Sequence, residues 1–218
     1  MREIEYLKCL NQIKRVMPKN FDILICENTI NKENEISNNE LKFFLKDNNV
    51  FLMGSIDNNT ENIGFGELMM LYVSLTKVSV NNYNFISYIS ARRIFTCPYV
   101  FEMTNNCEKD ALISNPDFLY LNGEYVKVEK QGLYNDMFFS MRAKYMIEYA
   151  NFAYKIIKKK NENFIYDMIK KKIGSEHILF EYIKKSKLSF QYLDWLGIIR
   201  NDWRKGDNFL DFNNFHIC

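Results

Sequence analysis

The sequence predicts a single α/β domain in which a mainly parallel central sheet carries helices on both faces and the C-terminal third is rich in helix. Short apolar runs alternate with helical patterns along the first half of the chain, as in folds built from strand–helix–strand crossover units. The 218 residues, 47% of them hydrophobic and 16% aromatic, are enough to bury one substantial core. No internal repeat and no linker rich in proline, glycine or serine interrupts the sequence, so we expect one domain over residues 1–218.

The first half of the sequence is predicted to form helices that alternate with strands. The opening segment has apolar residues at helical spacing up to Met17, and Pro18 stops it. The runs FDILICEN and NVFLMG have the form of buried parallel strands, and NNELKFFLKDN between them has helical propensity. A longer helix is predicted from Asn62 to about Val80, and YNFISYI then supplies a third strand. Because such strands end at one edge of a sheet, we expect a ligand site at that edge.

The second half is predicted to become helical after a pair of strand-like segments. The runs TCPYVFEM and DFLYLNGEYVKVEK alternate enough to be strands, and Asn122 with Gly123 favours a hairpin turn. From Tyr134 onward the pattern is helical, through MFFSMRAKYMIEYANFAYKIIKKK and NFIYDMIKKKIG. Ser175 is predicted to cap the helix SEHILFEYIKK. The tail LSFQYLDWLGIIRND returns to strand character.

Composition excludes several classes of protein. The net charge is +2, from 29 basic and 27 acidic residues, so overall charge gives no reason to expect nucleic-acid binding. Charged residues interrupt the apolar N-terminal positions, and no other window has the length of a membrane span, so neither a signal peptide nor a spanning helix is predicted. Five cysteines without a CxxC pair indicate neither a disulfide framework nor a zinc knuckle. We expect a cytoplasmic protein with reduced thiols.

Two adjacent arginines, Arg92 and Arg93, follow the third predicted strand. In one interpretation their aliphatic stems cover apolar surface while the charged ends reach a surface acid. A guanidinium at the end of a central strand is also what a nucleotide diphosphate needs, because it bonds phosphate oxygens in bidentate fashion and keeps its charge when partly desolvated. The position after a core strand favours this second interpretation.

The stretch IGFGEL puts Gly64 and Gly66 at the start of a predicted helix. Backbone N–H groups there could face a phosphate, or the glycines could only allow a tight entry into the helix. The stretch is not the GxGxxG fingerprint, and the segment directly before it, SIDNNTEN, is not a predicted strand. Glu67 gains from the helix dipole in either interpretation.

Asn135 and Asp136 lie between Gly132 and a hydrophobic segment predicted to be helical. Asp136 could be a helix N-cap, or it could act at the rim of a site as general base for an attacking hydroxyl. His177 lies beside Glu176, and a histidine in such a setting is more often structural than catalytic. Without an HExxH or GxSxG motif the sequence predicts neither a zinc hydrolase nor a serine hydrolase.

Two lysine clusters, in KIIKKKNENF and MIKKKIG, lie on consecutive predicted helices. Such clusters usually form a solvated face. With Tyr and Phe interleaved they could also contact an anionic membrane surface, which fits a peripheral enzyme acting on a lipid-linked acceptor.

Taken in order, several stretches resemble small bacterial glycosyltransferases of capsule and lipopolysaccharide gene clusters, over residues 20–200. These stretches are NIGFGELMMLYVSL, YNFISYISARRIF, NPDFLYLNGEY, GLYNDMFFSMRAKYM and GSEHILFEYI. The resemblance implies a GT-A-like fold, in which a Rossmann-like sheet binds a nucleotide sugar at its strand ends. It also implies transfer of the sugar to a hydroxyl of a glycan or lipid-linked acceptor, in the cytoplasm or at the inner face of the membrane.

The resemblance also implies roles for particular residues. The basic strand-end motif falls on Arg92 and Arg93, which would stabilise the departing nucleotide diphosphate. The helix-opening acid falls on Asp136 and the late acidic helix start on Glu176, and these are the catalytic candidates. The remaining candidates for donor binding lie in the same motifs and are Gly64, Gly66, Glu67 and Asn135.

The sequence departs from the GT-A pattern in one respect. Such enzymes usually hold a divalent ion, Mn or Mg, with an Asp-x-Asp element, and this chain contains no such element. Either the arginines take over the charge role of the metal or other carboxylates hold it. Two alternatives therefore stay open beside the glycosyltransferase: a non-catalytic relative that binds or scaffolds, and another nucleotide-dependent transferase.

Overall fold

A computed structural model of the chain describes ten ranges of residues: 2–26, 36–46, 50–53, 63–89, 93–114, 118–121, 124–127, 135–158, 174–193 and 196–200. Its helices are α1 (Arg2–Val16), α2 (Asn39–Phe44), α3 (Ile63–Lys77), α4 (Tyr99–Asn105), α5 (Ala143–Lys158) and α6 (Ser175–Ser186). Its strands are β1 (Ile23–Cys26), β2 (Val50–Met53), β3 (Phe85–Ile89), β4 (Arg93–Phe95), β5 (Ala111–Ser114), β6 (Phe118–Leu121), β7 (Glu124–Lys127), β8 (Asn135–Arg142), β9 (Phe190–Leu193) and β10 (Ile198–Arg200).

The largest sheet in these ranges has the strand order β3-β8-β5-β9. Strand β8 runs antiparallel to β3 and to β5, whereas β9 runs parallel to β5. Strands β3, β5 and β9 therefore share one direction, and β8 is reversed between them. Smaller ladders join β1 to β2 in parallel, and β4 to β10 and β6 to β7 in antiparallel fashion. The predicted α/β fold with a mainly parallel central sheet is confirmed, with β8 as its reversed strand.

Helices cover both faces of this sheet. On one face, α3, α5 and α6 pack on Ile113 of β5 and Phe139 of β8. On the other face, α1 and α4 pack on Leu112 and Phe138, the neighbouring residues of the same two strands. This division follows from strand geometry, because successive side chains point to opposite faces. The ring of Phe139 stacks on Tyr88 at 5.0 Å between centroids, inside the first of these two cores.

Most elements predicted for the first half form where the patterns indicated. Helix α1 ends before Pro18, as predicted. Helix α2 is capped by Asn38, whose Oδ1 accepts a hydrogen bond from the backbone N–H of Leu41 at 2.9 Å. Strands β1, β2 and β3 occupy the three apolar runs, and β6 pairs with β7 in the predicted hairpin. Asn122 and Gly123, at the predicted turn, lie outside the described residues.

The prediction of a helix from Tyr134 onward is wrong at its start, because Asn135–Arg142 forms β8 and α5 begins only at Ala143. The four residues from Phe138 to Met141 are each at most 1% exposed. A strand buried on both faces is a continuous apolar run, which hydrophobic periodicity cannot distinguish from a buried helix.

Smaller corrections concern helix ends and short segments. The predicted strand TCPYVFEM is instead mostly helix, because α4 begins at Tyr99 and ends at Asn105, and it buries Val100 and Phe101. The N-cap of α6 is Gly174, so Ser175 is the first residue of the helix and not its cap. Strand β5, with the sequence ALIS, was not predicted. The helix predicted in NFIYDMIKKKIG lies outside the described residues.

No helix in the described part of the chain is long and apolar enough to cross a membrane. Of the two lysine clusters, the first begins at the end of α5 with Lys155 and Lys158, both exposed. The second cluster lies in residues that the structure does not describe. Contact with a membrane surface therefore stays a prediction.

Asp110 connects β5, β8 and β9 at the edge of the sheet where β5 and β9 begin. Its Oδ2 accepts hydrogen bonds from the backbone N–H of Ser189 at 3.1 Å and from the Ser189 hydroxyl at 2.7 Å. The Nε of Arg142, at the end of β8, lies 3.8 Å from Oδ1. The hydroxyl of Ser189 is the main cause that lowers the pKa of Asp110 below its ordinary value, and burial opposes it.

Because the pKa of Asp110 is lower in the folded protein, its contacts stabilise the fold above the ordinary carboxyl pKa and are lost as the pH falls through the lowered value. We expect Ser189→Ala to raise the pKa of Asp110 and to make acid unfolding begin at a higher pH. The measurement is an NMR titration of the Asp110 carboxyl. Ser79→Ala, at an exposed serine, is the control, and an unchanged pKa in Ser189→Ala would contradict the assignment.

Candidate functional site

Strands β3, β5 and β9 all end at one edge of the main sheet, which we call the carboxyl edge. The register pairs Ile89, the last residue of β3, with Phe138 of β8. It pairs Ser114, the last residue of β5, with Asn135 on one side and with Leu193 of β9 on the other. The first residues of β8 therefore lie at this edge, between the ends of β3 and β5.

A β-bulge interrupts β8 at the carboxyl edge. Ile113 of β5 pairs with Phe139, but the next residue, Ser114, pairs with Asn135. The segment Asp136–Phe138 therefore has no partner of its own on β5. The hydroxyl of Ser114, a residue 2% exposed, donates to the carbonyl oxygen of Phe138 at 2.7 Å and so holds the bulge in place. Bulges of this kind are enriched beside active sites, where they turn a strand and redirect its residues.

The structure corrects one prediction for Asp136 and leaves another open. Asp136 is the second residue of strand β8 and belongs to the bulge, so it is not a helix N-cap, and the helix-opening position that the resemblance implied is wrong. Asn135 precedes it as the first residue of the strand. The general-base role of Asp136 and the donor-binding role of Asn135 stay predictions.

Helices α3 and α6 begin side by side at the carboxyl edge. A Cβ atom added to Gly64, in the first turn of α3, would lie 2.9 Å from Oγ of Ser175, the first residue of α6. Glycine therefore lets the two helix starts approach closely, which supports the tight-entry interpretation of this position. Gly66 is buried in the same turn. The dipoles of both helices are positive at this end.

Glu67 is held against the sheet. Its Oε2 accepts a hydrogen bond from the hydroxyl of Tyr88 at 2.9 Å, one residue before the end of β3. The Tyr88 ring is itself fixed by its stack on Phe139. This contact places the carboxylate of Glu67 at the carboxyl edge, next to the first turn of α3.

Glu176 and His177 belong to the first turn of α6. The Glu176 carboxylate folds back beside Gly174, where any side chain on the glycine would collide with it. The N–H of Gly174 donates to Nδ1 of His177 at 3.0 Å, while the N–H of His177 donates to the carbonyl oxygen of Gly174 at 3.2 Å. These bonds give His177 a capping function, in agreement with the structural role that the sequence favoured. The catalytic role of Glu176 stays a prediction.

Arg93 begins β4, four residues after the last residue of β3. A chain segment of this length spans at most about 14 Å, so the Cα atom of Arg93 lies within that distance of Ile89 at the carboxyl edge. Across the β4–β10 ladder, Arg93 pairs with Arg200. Arg92 lies outside the described residues. The donor-binding role of both predicted arginines stays a prediction.

Within the described ranges, no three or more His, Cys, Asp and Glu residues are grouped so that they could hold a metal ion. Glu67 and Glu176 thus do not form such a group with described neighbours. The side chain of Asp136 lies outside the described part of the structure, and metal dependence stays open.

Three residues of this region were not predicted from the sequence: Tyr88, Ser114 and Arg200. In the sequence, Tyr88 is indistinguishable from the other apolar residues of the strand YNFISYI. Ser114 is only a polar residue at the end of the short apolar run ALI. Arg200 comes after two apolar residues in the tail, and Arg92 comes after the apolar run YNFISYI. This similarity is the one sequence signal that could have pointed to Arg200.

A solved structure with the same overall fold is 4-diphosphocytidyl-2C-methyl-D-erythritol synthase from Anaerococcus prevotii DSM 20548. The TM-score is 0.55 and the sequence identity 12%, with 90% of this chain and 82% of the synthase chain covered. At this identity the likeness shows the fold, and it extends over nearly all of the chain. No protein-family model matches the sequence, and no curated protein matches it.

We expect Ser114→Ala to destabilise the protein by about 1–3 kcal/mol, because it removes the side-chain donor to a buried carbonyl oxygen in the bulge. Urea unfolding gives the free energy of unfolding. The matched control is Thr76→Ala, whose hydroxyl donates to the carbonyl oxygen of Val73 at an exposed position, and which should cost about 0.5 kcal/mol or less. Equal costs for the two variants would show that Ser114 does not hold the bulge.

Proposed function

We propose that the protein is a nucleotide-dependent transferase whose donor binds at the carboxyl edge. The observation that carries this proposal is the β8 bulge, which lies between the ends of β3 and β5 and contains Asp136. Two helix N-termini begin at the same edge, and open α/β sheets bind ligands outside the carboxyl ends of their strands. The synthase that shares the fold makes, by its name, a diphosphocytidyl compound.

The finer proposal is glycosyl transfer, as the resemblance implies. The donor is a nucleotide sugar and the acceptor a hydroxyl of a cell-surface glycan of the capsule or lipopolysaccharide type. The acceptor oxygen attacks the anomeric carbon while Asp136 takes its proton, and the bond from that carbon to the diphosphate oxygen breaks. The electron pair leaves with the nucleotide diphosphate, whose negative charge Arg92 and Arg93 stabilise.

The remaining candidates support this reaction. The Glu67 carboxylate accepts hydrogen bonds from hydroxyl groups of the donor, and the Asn135 amide accepts or donates them. The first turn of α3, with Gly64 and Gly66, presents backbone N–H groups to a phosphate. Glu176 is the second catalytic carboxylate. The reaction takes place in the cytoplasm, with the lysine-rich end of α5 directed to the inner face of the membrane where a lipid-linked acceptor would lie.

A second candidate reaction is nucleotidyl transfer, which the fold shared with the synthase favours. In that reaction the donor is a nucleoside triphosphate and the bond that breaks joins two of its phosphates. The same edge would serve, because both reactions need a nucleotide phosphate near helix N-termini and positive side chains. A non-catalytic relative that keeps the fold and binds or scaffolds is the third possibility, because the Asp-x-Asp element is absent.

A thermal-shift screen separates these candidates. Nucleoside diphosphates, nucleoside triphosphates and nucleotide sugars are tested with and without manganese or magnesium. A ligand at 100 times its Kd should stabilise the protein by about 2.7 kcal/mol. The largest shift with a nucleotide sugar supports glycosyl transfer, and the largest shift with a triphosphate supports nucleotidyl transfer. No shift with any nucleotide would contradict a nucleotide-dependent transferase.

Two substitutions separate donor binding from catalysis. Arg93→Lys should weaken donor binding, because an ammonium group cannot reproduce the bidentate guanidinium fork. Asp136→Asn should leave donor affinity nearly unchanged and lower turnover by about 100-fold or more, the usual effect of losing a general base. Calorimetry gives the affinity and a transfer assay the turnover. An Asn variant that turns over normally would rule out Asp136 as the base.

A further inference from the structure

We infer that Glu67 and Tyr88 recognise two neighbouring hydroxyl groups on a sugar ring of the donor. Glu67 contacts the ligand, and Tyr88 is a positioning residue that holds Glu67. This inference rests on the proposed function, makes the class of ligand more specific and adds Tyr88 to the site. The sugar ring is either the ribose of the nucleotide or the sugar to be transferred, and ligands that differ in only one of these rings distinguish the two sources.

The Tyr88 ring is held by the core beside the sheet. In the β3–β8 ladder Tyr88 pairs with Phe139, and the two rings stack at 5.0 Å between centroids with an interplanar angle of 19°. Phe139 is 1% exposed, and its ring contacts that of Tyr149 edge to face at 5.6 Å. Because a ring packed in this way has few alternative orientations, the Tyr88 hydroxyl is presented at one fixed place.

Glu67 accepts this hydroxyl from the helical layer above the sheet. The Tyr88 hydroxyl donates to Oε2 of Glu67 at 2.9 Å and so connects α3 to β3. Glu67 lies between Gly66, which is buried, and Leu68, which is 3% exposed. Glu67 and Tyr88 are themselves both partly exposed. The pair is therefore anchored in the core and still partly accessible to a ligand.

The pair lies beside the place of the proposed reaction. The next pair of the ladder after Tyr88 and Phe139 is Ile89 with Phe138, the last residue of the bulge that contains Asp136. Successive residues of a strand are only about 3.4 Å apart. A nucleotide sugar has a ribose on one side of its diphosphate and the transferred sugar on the other, so a donor bound at the carboxyl edge can place one of these rings against Glu67.

A carboxylate is suited to hydroxyl groups and not to phosphates. It only accepts hydrogen bonds, and its negative charge repels a phosphate. A bond from one phenol uses one of about four acceptor sites on the two carboxylate oxygens, so Glu67 can accept bonds from a ligand without releasing Tyr88. Hydrogen bonds to an ionised acceptor are about twice as strong as those between neutral groups. In dinucleotide-binding folds, too, an acidic side chain binds a ribose hydroxyl.

Paired nucleotides test the ribose. The probes are ADP, CDP, GDP and UDP with their 2′-deoxy and 3′-deoxy forms, and affinity is measured by isothermal titration calorimetry on the whole chain. If the ring is the ribose, the wild type should bind the ribo form of its preferred nucleotide about 10-fold or more tightly than either deoxy form. Glu67→Gln should reduce this ratio to about 2 or less. Tyr88→Phe, which keeps the ring stack, should reduce it to an intermediate value.

Nucleotide sugars test the transferred sugar. A panel of neutral hexose donors is compared with the nucleoside diphosphate of the same base. If the ring is the transferred sugar, the wild type should bind one nucleotide sugar about 10-fold or more tightly than the diphosphate, and the two variants should lose this gain in the same order. A preference of either kind that depends on Glu67 and Tyr88 supports the inference, and a wild type with neither preference overturns it.

Tyr83→Phe is the matched control. Tyr83 lies two residues before β3, at the opposite edge of the sheet, and its hydroxyl donates to Oδ2 of Asp22. This variant also removes a bond between a phenol and a carboxylate, and it should leave both affinity ratios unchanged. If the bond between Tyr88 and Glu67 only stabilises the fold, Glu67→Gln and Tyr88→Phe lower the Tm and keep the ratios of the wild type, which would overturn the inference.

This inference and the proposed function fail with different results. If nucleotides bind but both variants show the ratios of the wild type, the transferase proposal stands and the role of Glu67 and Tyr88 is wrong. If no nucleotide and no nucleotide sugar binds the wild type, the proposed function is wrong and this inference fails with it.

Discussion

The pairing of β8 with both β3 and β5 is the constraint on which the rest of the structure depends. Because β8 is reversed between two strands of the opposite direction, its first residues reach the edge where the others end. Its adjacent residues Phe138 and Phe139 enter the two separate cores, so the same strand connects both helical layers. The Ser114 hydroxyl bond then fixes the bulge near the start of the strand. A change in β8 would therefore affect the sheet, both cores and the candidate site together.

The two edges of the main sheet differ in how their polar groups are used. At the edge where β5 and β9 begin, which we call the amino edge, Asp110 binds Ser189 and Arg142 and so joins β5, β9 and β8. At the carboxyl edge, α3 and α6 begin, so the positive ends of both helix dipoles lie there. Helix α5 has the opposite polarity, because it follows the reversed strand, and its N-terminus lies at the amino edge. Strand direction thus decides which helix dipoles are positive toward the candidate site.

Sequence patterns predicted the elements whose apolar runs are bounded by polar residues, such as β1, α3 and β3. They failed at β8, because a strand that is buried on both faces shows no alternation of apolar and polar residues. For this reason Asp136 was predicted to lie at the start of a helix. Glu67 and Asp136 lie at the edge where the strands end, which is where the sequence predicted a ligand site, but their roles in binding and catalysis stay predictions. The bulge at Ser114 and the opposition of Arg93 and Arg200 depend on register between distant strands, which no local pattern contains.

Charge balance bears on how a donor could bind without an Asp-x-Asp element. Each helix N-terminus is equivalent to about half a positive charge, so α3 and α6 together offer about one. Arg92 and Arg93 each add a full charge that does not depend on pH in the physiological range. Glu67 opposes them, but its bond to Tyr88 holds its carboxylate against the sheet. If the two arginines bind the donor as proposed, these positive charges, reduced by the carboxylates of Glu67 and Glu176, would balance part of the charge of a nucleotide diphosphate, and a divalent ion, where one binds, would add to them.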